Sequence, residues 1–479
     1  MGHKENVFYD FNRQYLIPHE LSTEGPKMAV GDVNGDGLDD IFLCGAKQQS
    51  SALYIQNSHG QFESSNIALW AADSLSEDVD AFFFDADNDK DLDLYVVTGG
   101  NEYNKGNAWL LDRLYINDGK GQFTKAEHAL PPIAENKSCV SVADINNDGL
   151  MDLFVGGRSD PMSYGKPCAS YILLNTGKGT FVDVSQKWLG SVQELGMVTD
   201  AVFEDFDKDG KMDLVVVGEW MPVTFLLNKG DHFENVTNKV APPKLNGWWY
   251  FIIGADIDKD GDIDFLVGNY GTNSKLKASA AEPVRQYLGD WDKNGTSDPL
   301  LCINIEGKYY PFLNKEELEK QLPFIKKKFL GYQVMADKSV DQIFDKAALD
   351  NAAVLNAYNF SSGVLRNDGK GSFHWQPFPA TAQTAPVFSI LYADINRDNK
   401  PDILGGGNFY GVLPYEGRYD ASQLWWLHPT GKNGFEVIPP ILSQFYLTGE
   451  VRDIKTVRSV NRTQYLAIAR NNDSVKLFR

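Results

Sequence analysis

One nine-residue pattern constrains this chain more than any other feature. D-x-[DN]-x-[DN]-x-x-x-D starts at Asp32, Asp85, Asp144, Asp205, Asp256, Asp290 and Asp394. The first copy, Asp32-Val33-Asn34-Gly35-Asp36-Gly37-Leu38-Asp39-Asp40, places short oxygen-bearing side chains at positions 1, 3, 5 and 9, with glycine sixth. The first five copies are spaced by 53, 59, 61 and 51 residues. A chain that repeats at that interval grows unit by unit, so its 479 residues need not divide into domains of ~150 residues each.

Alternating oxygen donors in a tight loop suit a hard cation. Ca²⁺ takes six to eight oxygens at about 2.3–2.6 Å, and loops of this kind add the backbone carbonyl of position 7 to the side chains. Glycine at position 6 permits the left-handed turn that wraps the loop around an ion. The expected ligands are therefore Asp32, Asn34, Asp36, Leu38 and Asp40; Asp85, Asp87, Asp89, Asp91 and Asp93; Asp144, Asn146, Asp148, Leu150 and Asp152; and Asp205, Asp207, Asp209, Lys211 and Asp213. They continue with Asp256, Asp258, Asp260, Asp262 and Asp264; Asp290, Asp292, Asn294, Thr296 and Asp298; and Asp394, Asn396, Asp398, Lys400 and Asp402. Leu38, Leu150, Lys211, Thr296, Lys400 and their counterparts at position 7 contribute only a carbonyl.

An EF-hand needs a bidentate Glu at position 12 and helices on both sides. Here position 12 is Leu43, Val96, Val155, Val216, Val267, Leu301 and Gly405, and the flanks, such as Leu92 to Val97, are strand-like. The bland reading of one Asp-rich turn is a solvated loop stabilised by Asx geometry. Seven copies in register oppose it, because their side-chain positions hold 24 aspartates that repel one another without a divalent ion. Up to seven Ca²⁺ would move the formal charge from -20 to -6. Lys90 and Asn399 replace the sixth-position glycine, which predicts strain at Asp85's loop and makes occupancy there and at Asp394 an open point.

About thirty residues after most copies comes an apolar strand, a Gly turn and an aromatic, as in Leu114-Tyr115-Ile116-Asn117-Asp118-Gly119-Lys120-Gly121-Gln122-Phe123. Turns of the Asn-Asp-Gly type between apolar runs mark β-hairpins. Each unit thus reads strand, metal loop, strand, longer loop, strand, tight turn, strand. Four antiparallel strands per unit predict an all-β fold, a β-propeller that protects its sheet edges by radial packing. The chain is expected to be one domain over 1–479, with a helical insertion at 314–350 rich in good helix formers. The copy at Asp290 breaks the spacing and either opens its own blade or sits in the outer hairpin of the preceding one. Val451 to Ile454, Tyr465 to Ala469 and Val475 to Phe478 read as three strands whose fourth is expected from Val7 to Tyr15, closing the ring.

These motifs resemble the FG-GAP and VCBS repeat families, whose best-known relative is the α-subunit head of integrins. Leu21-Ser22-Thr23-Glu24-Gly25-Pro26, Gly218-Glu219-Trp220-Met221-Pro222, Gly247-Trp248-Trp249 and Gly417-Arg418-Tyr419-Asp420-Ala421 are similar to the large VCBS-repeat proteins of Bacteroidetes. The resemblance implies a calcium propeller at a bacterial surface, with seven blades; strand counting also admits eight.

Composition limits the partners. A net charge of -20 argues against nucleic acid, whose phosphates call for clustered Lys and Arg. No apolar run approaches the ~18 residues that span a bilayer. Cys44, Cys139, Cys168 and Cys302 have irregular spacing and no CxxC, which predicts free thiols. Met1-Gly2-His3 opens without an apolar signal core, so a signal peptide or lipid anchor is expected to be absent from this chain. Reliance on calcium favours an exported protein, and the resemblance implies a place outside the cell or on the outer-membrane surface.

Metal loops and tight turns should share one face of such a ring, leaving the longer loops for recognition on the other. Candidate ligand-binding residues there are Glu102, Arg158, Glu219, Trp220, Asn269, Tyr270, Asn408, Phe409, Tyr410 and Arg418, since aromatics beside polar groups suit a sugar or peptide. The expected function is a binding module for a glycan or protein, an accessory of an outer-membrane import or adhesion complex. The alternative is a polysaccharide lyase, for which Arg158, Tyr270, Tyr410 and Arg418 would have to meet in space. The histidines are scattered and no Ser/His/Asp grouping is visible.

Overall fold

A computed structural model describes residues 1–431, 434–443 and 445–479. Alternating apolar runs between turn signals form antiparallel sheets in chain order. Blade one comprises Met28–Gly31, Asp40–Leu43, Ala52–Gln56 and Phe62–Ser65. Blade two comprises Asp78–Phe84, Asp93–Thr98, Arg113–Asn117 and Phe123–Lys125. Blade three follows with Lys137–Ala143, Asp152–Gly157, Tyr171–Asn175 and Phe181–Asp183, and blade four with Met197–Glu204, Asp213–Met221, Thr224–Asn228 and Phe233–Asn235. Blade five comprises Gly247–Ala255, Asp264–Asn269, Gly363–Asn367 and Phe373–Pro377, and blade six Val387–Ala393, Asp402–Gly407, Trp425–Pro429 and Phe435–Ile438. Blade seven has three strands, Glu450–Arg458, Gln464–Asn471 and Lys476–Phe478. The first strand of each blade packs against that of the next, and blade seven returns to blade one, so the ring is a seven-bladed propeller.

Apolar faces of neighbouring blades make the core. Phe154 and Ile172 of blade three, for example, meet Phe203, Leu214 and Val216 of blade four. All four cysteines are free and buried within it, as their spacing predicts. Near the axis, several first strands carry a β-bulge, and at three of them an aspartate reaches the adjacent blade. Asp80 accepts the Val140 N–H at 3.0 Å, Asp200 that of Ile252 at 2.9 Å, and Asp453 that of Met28 at 2.9 Å. A bulge re-aims a side chain, here across the blade boundary.

Three expectations are revised. The Asp290 copy neither opens a ring blade nor lies in the hairpin of blade five. It joins Val284–Gly289 to Asp298–Ile305 in a separate sheet with Lys308–Pro311 and Ala353–Ala357. That sheet lies between the second and third strands of blade five, so the insertion is larger than the helical stretch 314–350. Five short helices, from Lys315–Gln321 to Lys346–Asn351, pack on it around a core that includes Trp291, Leu300, Leu318, Ile325 and Phe344 and takes in Leu16 and Leu413 from outside the insertion.

The second revision concerns Val7 to Tyr15, which form no strand. Asp10, fully buried, accepts the N–H groups of Leu21 and Ser22, the Ser22 hydroxyl and the Asn101 amide. These bonds fold the segment back and send Ile17 and Leu21 into the core at the axis. Blade seven instead meets the terminus at Gly2, which bridges Ser474. The third revision is the burial of most candidate recognition residues, described below.

Candidate functional site

The six ring copies of the aspartate pattern each occupy the turn between the first and second strands of a blade, with the seventh in the insertion. All seven adopt one backbone shape, with positive φ at positions 4 and 6: Gly35 (74°) and Gly37 (86°) in the first, Lys208 (60°) and Gly210 (86°) in the fourth. Lys90 (78°) and Asn399 (65°) take the same left-handed conformation in place of glycine. The position-1 carboxylate organises the loop: Asp32 accepts N–H groups from Gly35, Asp36 and Gly37 at 2.7–3.1 Å, and Asp85 those of Asn88, Asp89 and Lys90. The position-9 carboxylate ties the loop to its blade. Asp93 accepts Ala86 N–H with one oxygen and Asn117 N–H with the other, both at 2.8 Å.

Charge converges inside these loops. Carboxylate oxygens of Asp85, Asp87 and Asp93, of Asp205, Asp207 and Asp213, and of Asp256, Asp258 and Asp260 lie within 4.8 Å of one another. Burial, and then neighbouring loop carboxylates, push Asp40, Asp93, Asp213 and Asp298 up to about 7 and Asp152 and Asp264 up to about 6. The buried Oδ2 of Asp213 has no hydrogen-bond partner. An all-oxygen donor set with a buried, unsatisfied carboxylate oxygen fits a hard divalent cation. These aspartate clusters could hold metal ions.

A further set of residues was not singled out from sequence. Asn117, Asn175, Asn228 and Asn367 each end a third strand, and each donates its side-chain amide to the position-2 carbonyl of the preceding blade's loop. The acceptors are Val33, Ala86, Ile145 and Phe206, at 2.7–3.2 Å. The backbone N–H of the same asparagine bonds the position-9 aspartate of its own blade. Every such latch therefore links two adjacent loops. The Asn that recurs before the tight turn in blades two to five was its signal in the sequence.

The opposite face is built differently. Trp220, Tyr270 and Phe409 are only 4%, 2% and 4% exposed and belong to a core cluster with Trp248, Tyr250 and Tyr164. Ile17 and Leu21 from the N-terminal segment and Leu276 from the insertion cover them, which is why aromatics expected at the surface are inside. The Trp248 ring lies 5.1 Å from Trp220 and 4.9 Å from Tyr270. Asn269 accepts Trp248 N–H and Tyr270 N–H, and Asn408 donates to the Ser422 and Gly449 carbonyls. Both are structural braces.

Arg158 and Glu219 form a buried ion pair at 2.7 Å. Tyr164 donates to the second Glu219 oxygen at 2.7 Å, His19 Nε2 sits 3.1 Å from the first, and Glu24 pairs with Arg158 Nε. Burial alone would raise the Glu219 carboxyl, but the Arg158 guanidinium and then His19 outweigh it and hold it well below the usual carboxylate range. Glu102 pairs with Lys47 and accepts from Asn6. Of the ten candidates, Tyr410 and Arg418 reach the surface most fully, with the guanidinium 4.7 Å above the Tyr410 ring. Arg158 and Tyr270, which a lyase would need beside them, lie in the core.

The FG-GAP-like repeat family matches this chain four times, over residues 32–96, 85–155, 157–216 and 205–267. Among solved structures, an Agrocybe aegerita lectin described for recognition of non-reducing terminal N-acetylglucosamine is similar at 17% identity, over 74% of this chain and 79% of that one, with a TM-score of 0.36. The V. cholerae biofilm matrix protein Bap1 is similar at 11% identity, over 99% and 89%, with a TM-score of 0.38. The Dos1 propeller is similar at 9% identity, over 97% and 95%, also at 0.38. No curated protein matches the sequence.

Proposed function

We propose, from the premise that this chain carries FG-GAP-like repeats, that it is a calcium-stabilised recognition module at or outside the cell surface, binding a glycan or protein partner. Calcium is the ion that the loops favour, because every donor is oxygen and the loop supplies most of the six to eight that Ca²⁺ takes. The ions brace the ring, and recognition falls to the other face. A part in an outer-membrane import or adhesion complex follows from the resemblance to surface VCBS-repeat proteins.

The observation that carries this reading is the loop between Phe409 and Tyr419. Its base is fixed by a two-bond bridge between those residues, at 2.8 and 3.0 Å. Tyr410 N–H donates to Glu450, which in turn pairs with Arg452. Tyr410, Tyr415 and Arg418 are thereby displayed on a rigid mount, and a rigid aromatic beside a guanidinium is an economical contact for a sugar or peptide. Glycan-array and pull-down binding, measured with calcium and with chelator, test it. Tyr410→Ala and Arg418→Ala should each abolish or strongly weaken capture while metal content and Tm stay unchanged. Capture that survives both substitutions overturns the assignment of this face.

A further inference from the structure

Blade two carries a cleft that no residue singled out above occupies. It lies where the second and third strands of that blade are joined, has a volume of about 340 Å³, and is walled by Trp109, Arg113, Lys125, His128 and the run Leu130 to Pro132. A single water needs only ~10–15 Å³ measured on the same basis, so the space is sized for a larger guest.

Arg113 is the unusual member. It opens the third strand opposite Val96, and the residues at the same register in blades one, three, four, five and six are Ala52, Tyr171, Thr224, Gly363 and Trp425. Blade two alone among these places a charge there. Arg113 is 4% exposed, its Nη2 pairs with Asp78, and its Nε and Nη1 have no partner. Three further carboxylates line the cleft: Glu127 is exposed at its rim, and the other two are committed elsewhere. Asp73 accepts from Lys125 at 2.6 Å and from Tyr115 at 2.7 Å. Asp112 accepts from Tyr95 and Thr98, both at 2.8 Å, and faces Lys137 at 3.3 Å. Donor capacity of a buried guanidinium left unmet is costly.

Trp109 supplies the second half of the site. It is half-buried on a short 3₁₀ turn whose start is capped by Asn107, which accepts the Trp109 N–H at 2.9 Å, and among the described residues no aromatic ring packs on it. A half-buried indole lining the same cleft as a guanidinium with unmet donors suits a ring that bears a carboxylate. We propose that this cleft binds an acidic sugar residue of the uronate class, its carboxylate drawn to Arg113 and its ring laid against Trp109. The proposal rests on the reading of the protein as a glycan binder and names one class of glycan.

Calorimetric titration of the calcium-loaded full chain with tri-galacturonate, and with maltotriose as a neutral control, tests it. The acidic trimer should bind and the neutral one should not, and Trp109→Ala should weaken binding by roughly tenfold or more at unchanged Tm. Arg113→Lys should weaken it as well. Because Arg113 also holds Asp78, the half-buried Trp109 carries the test if that variant fails to fold. Equal binding of both trimers, or an unaffected Trp109→Ala variant, overturns the proposal. The outcome separates from that of the Tyr410 face. Glycan capture lost in Tyr410→Ala with no uronate bound leaves the function standing and removes the cleft, whereas uronate binding sensitive to Trp109 with no capture by the Tyr410 loop keeps the cleft and removes the Tyr410 face.

Discussion

The two ends of this propeller obey different rules. At the metal end, one nine-residue pattern gives one loop shape six times, with aspartates near the surface and hydrogen bonds that stay within a loop or reach the adjacent blade. At the other end nothing repeats: Trp220, Trp248, Tyr270 and Phe409 come from blades four, five and six and are sealed by Ile17 and Leu21 from the N-terminal segment. Local sequence is enough to specify the first end. The second exists only once distant segments meet, and its polar centre, Arg158 with Glu219, is held by Tyr164, His19 and the partly buried Glu24.

Chelation should break the comparison most strongly. A site saturated a thousandfold above its Kd contributes about 4 kcal/mol, so removing ions from several ring loops should lower Tm more than any single substitution, beyond any effect of ionic strength. A melting curve indifferent to EDTA, with no metal in the purified protein, rejects the metal reading. Trp220→Ala attacks the opposite end and should cost roughly 3–5 kcal/mol as a buried aromatic deletion, with bound calcium unchanged. Metal lost together with stability would show that the two ends are not independent.

Asp207→Ala should cost about 2 kcal/mol or more, and the difference should shrink in EDTA. Asp292→Ala should affect global unfolding less, because Asp298 of that loop is tied to Gln321 within the insertion. Equal effects of the two on the unfolding midpoint would mean that the ring loops have no privileged coupling to the blades. Asn228→Ala leaves the Ile145 and Met212 carbonyls without a donor and should cost roughly 1–3 kcal/mol, measured by denaturant unfolding. The smallest effect is expected from Lys90→Gly. Relief of a left-handed lysine should raise stability by a few tenths up to about 1 kcal/mol, and a loss instead would show that the Lys90 side chain has a favourable role.

The aspartate spacing, the strand-like flanks and the Asn-Gly turns made the ring readable, because each is a local rule with a fixed period. Individual exposure was not readable. Gly218-Glu219-Trp220 looks like a surface loop by composition, yet blade four's second strand continues through Met221 and pairs with Gly247 and Trp248 of blade five. Val7 to Tyr15 likewise looked like a strand, until Asp10 found its partners at Leu21, Ser22 and Asn101. The latch formed by Asn117 and its counterparts was visible as a recurring letter, but its acceptor lies in another blade.

The sequence by itself determined the repeating unit, the positions that could ligate metal and the closure of most blades, since each depends on residues fewer than about sixty apart and on donor geometry that a short loop sets alone. Tertiary structure decided the rest. It placed the Asp290 loop in an inserted sheet instead of the ring, buried the aromatics and left Tyr410 and Arg418 outside, because burial depends on which remote segments cover a side chain, and no local pattern encodes that.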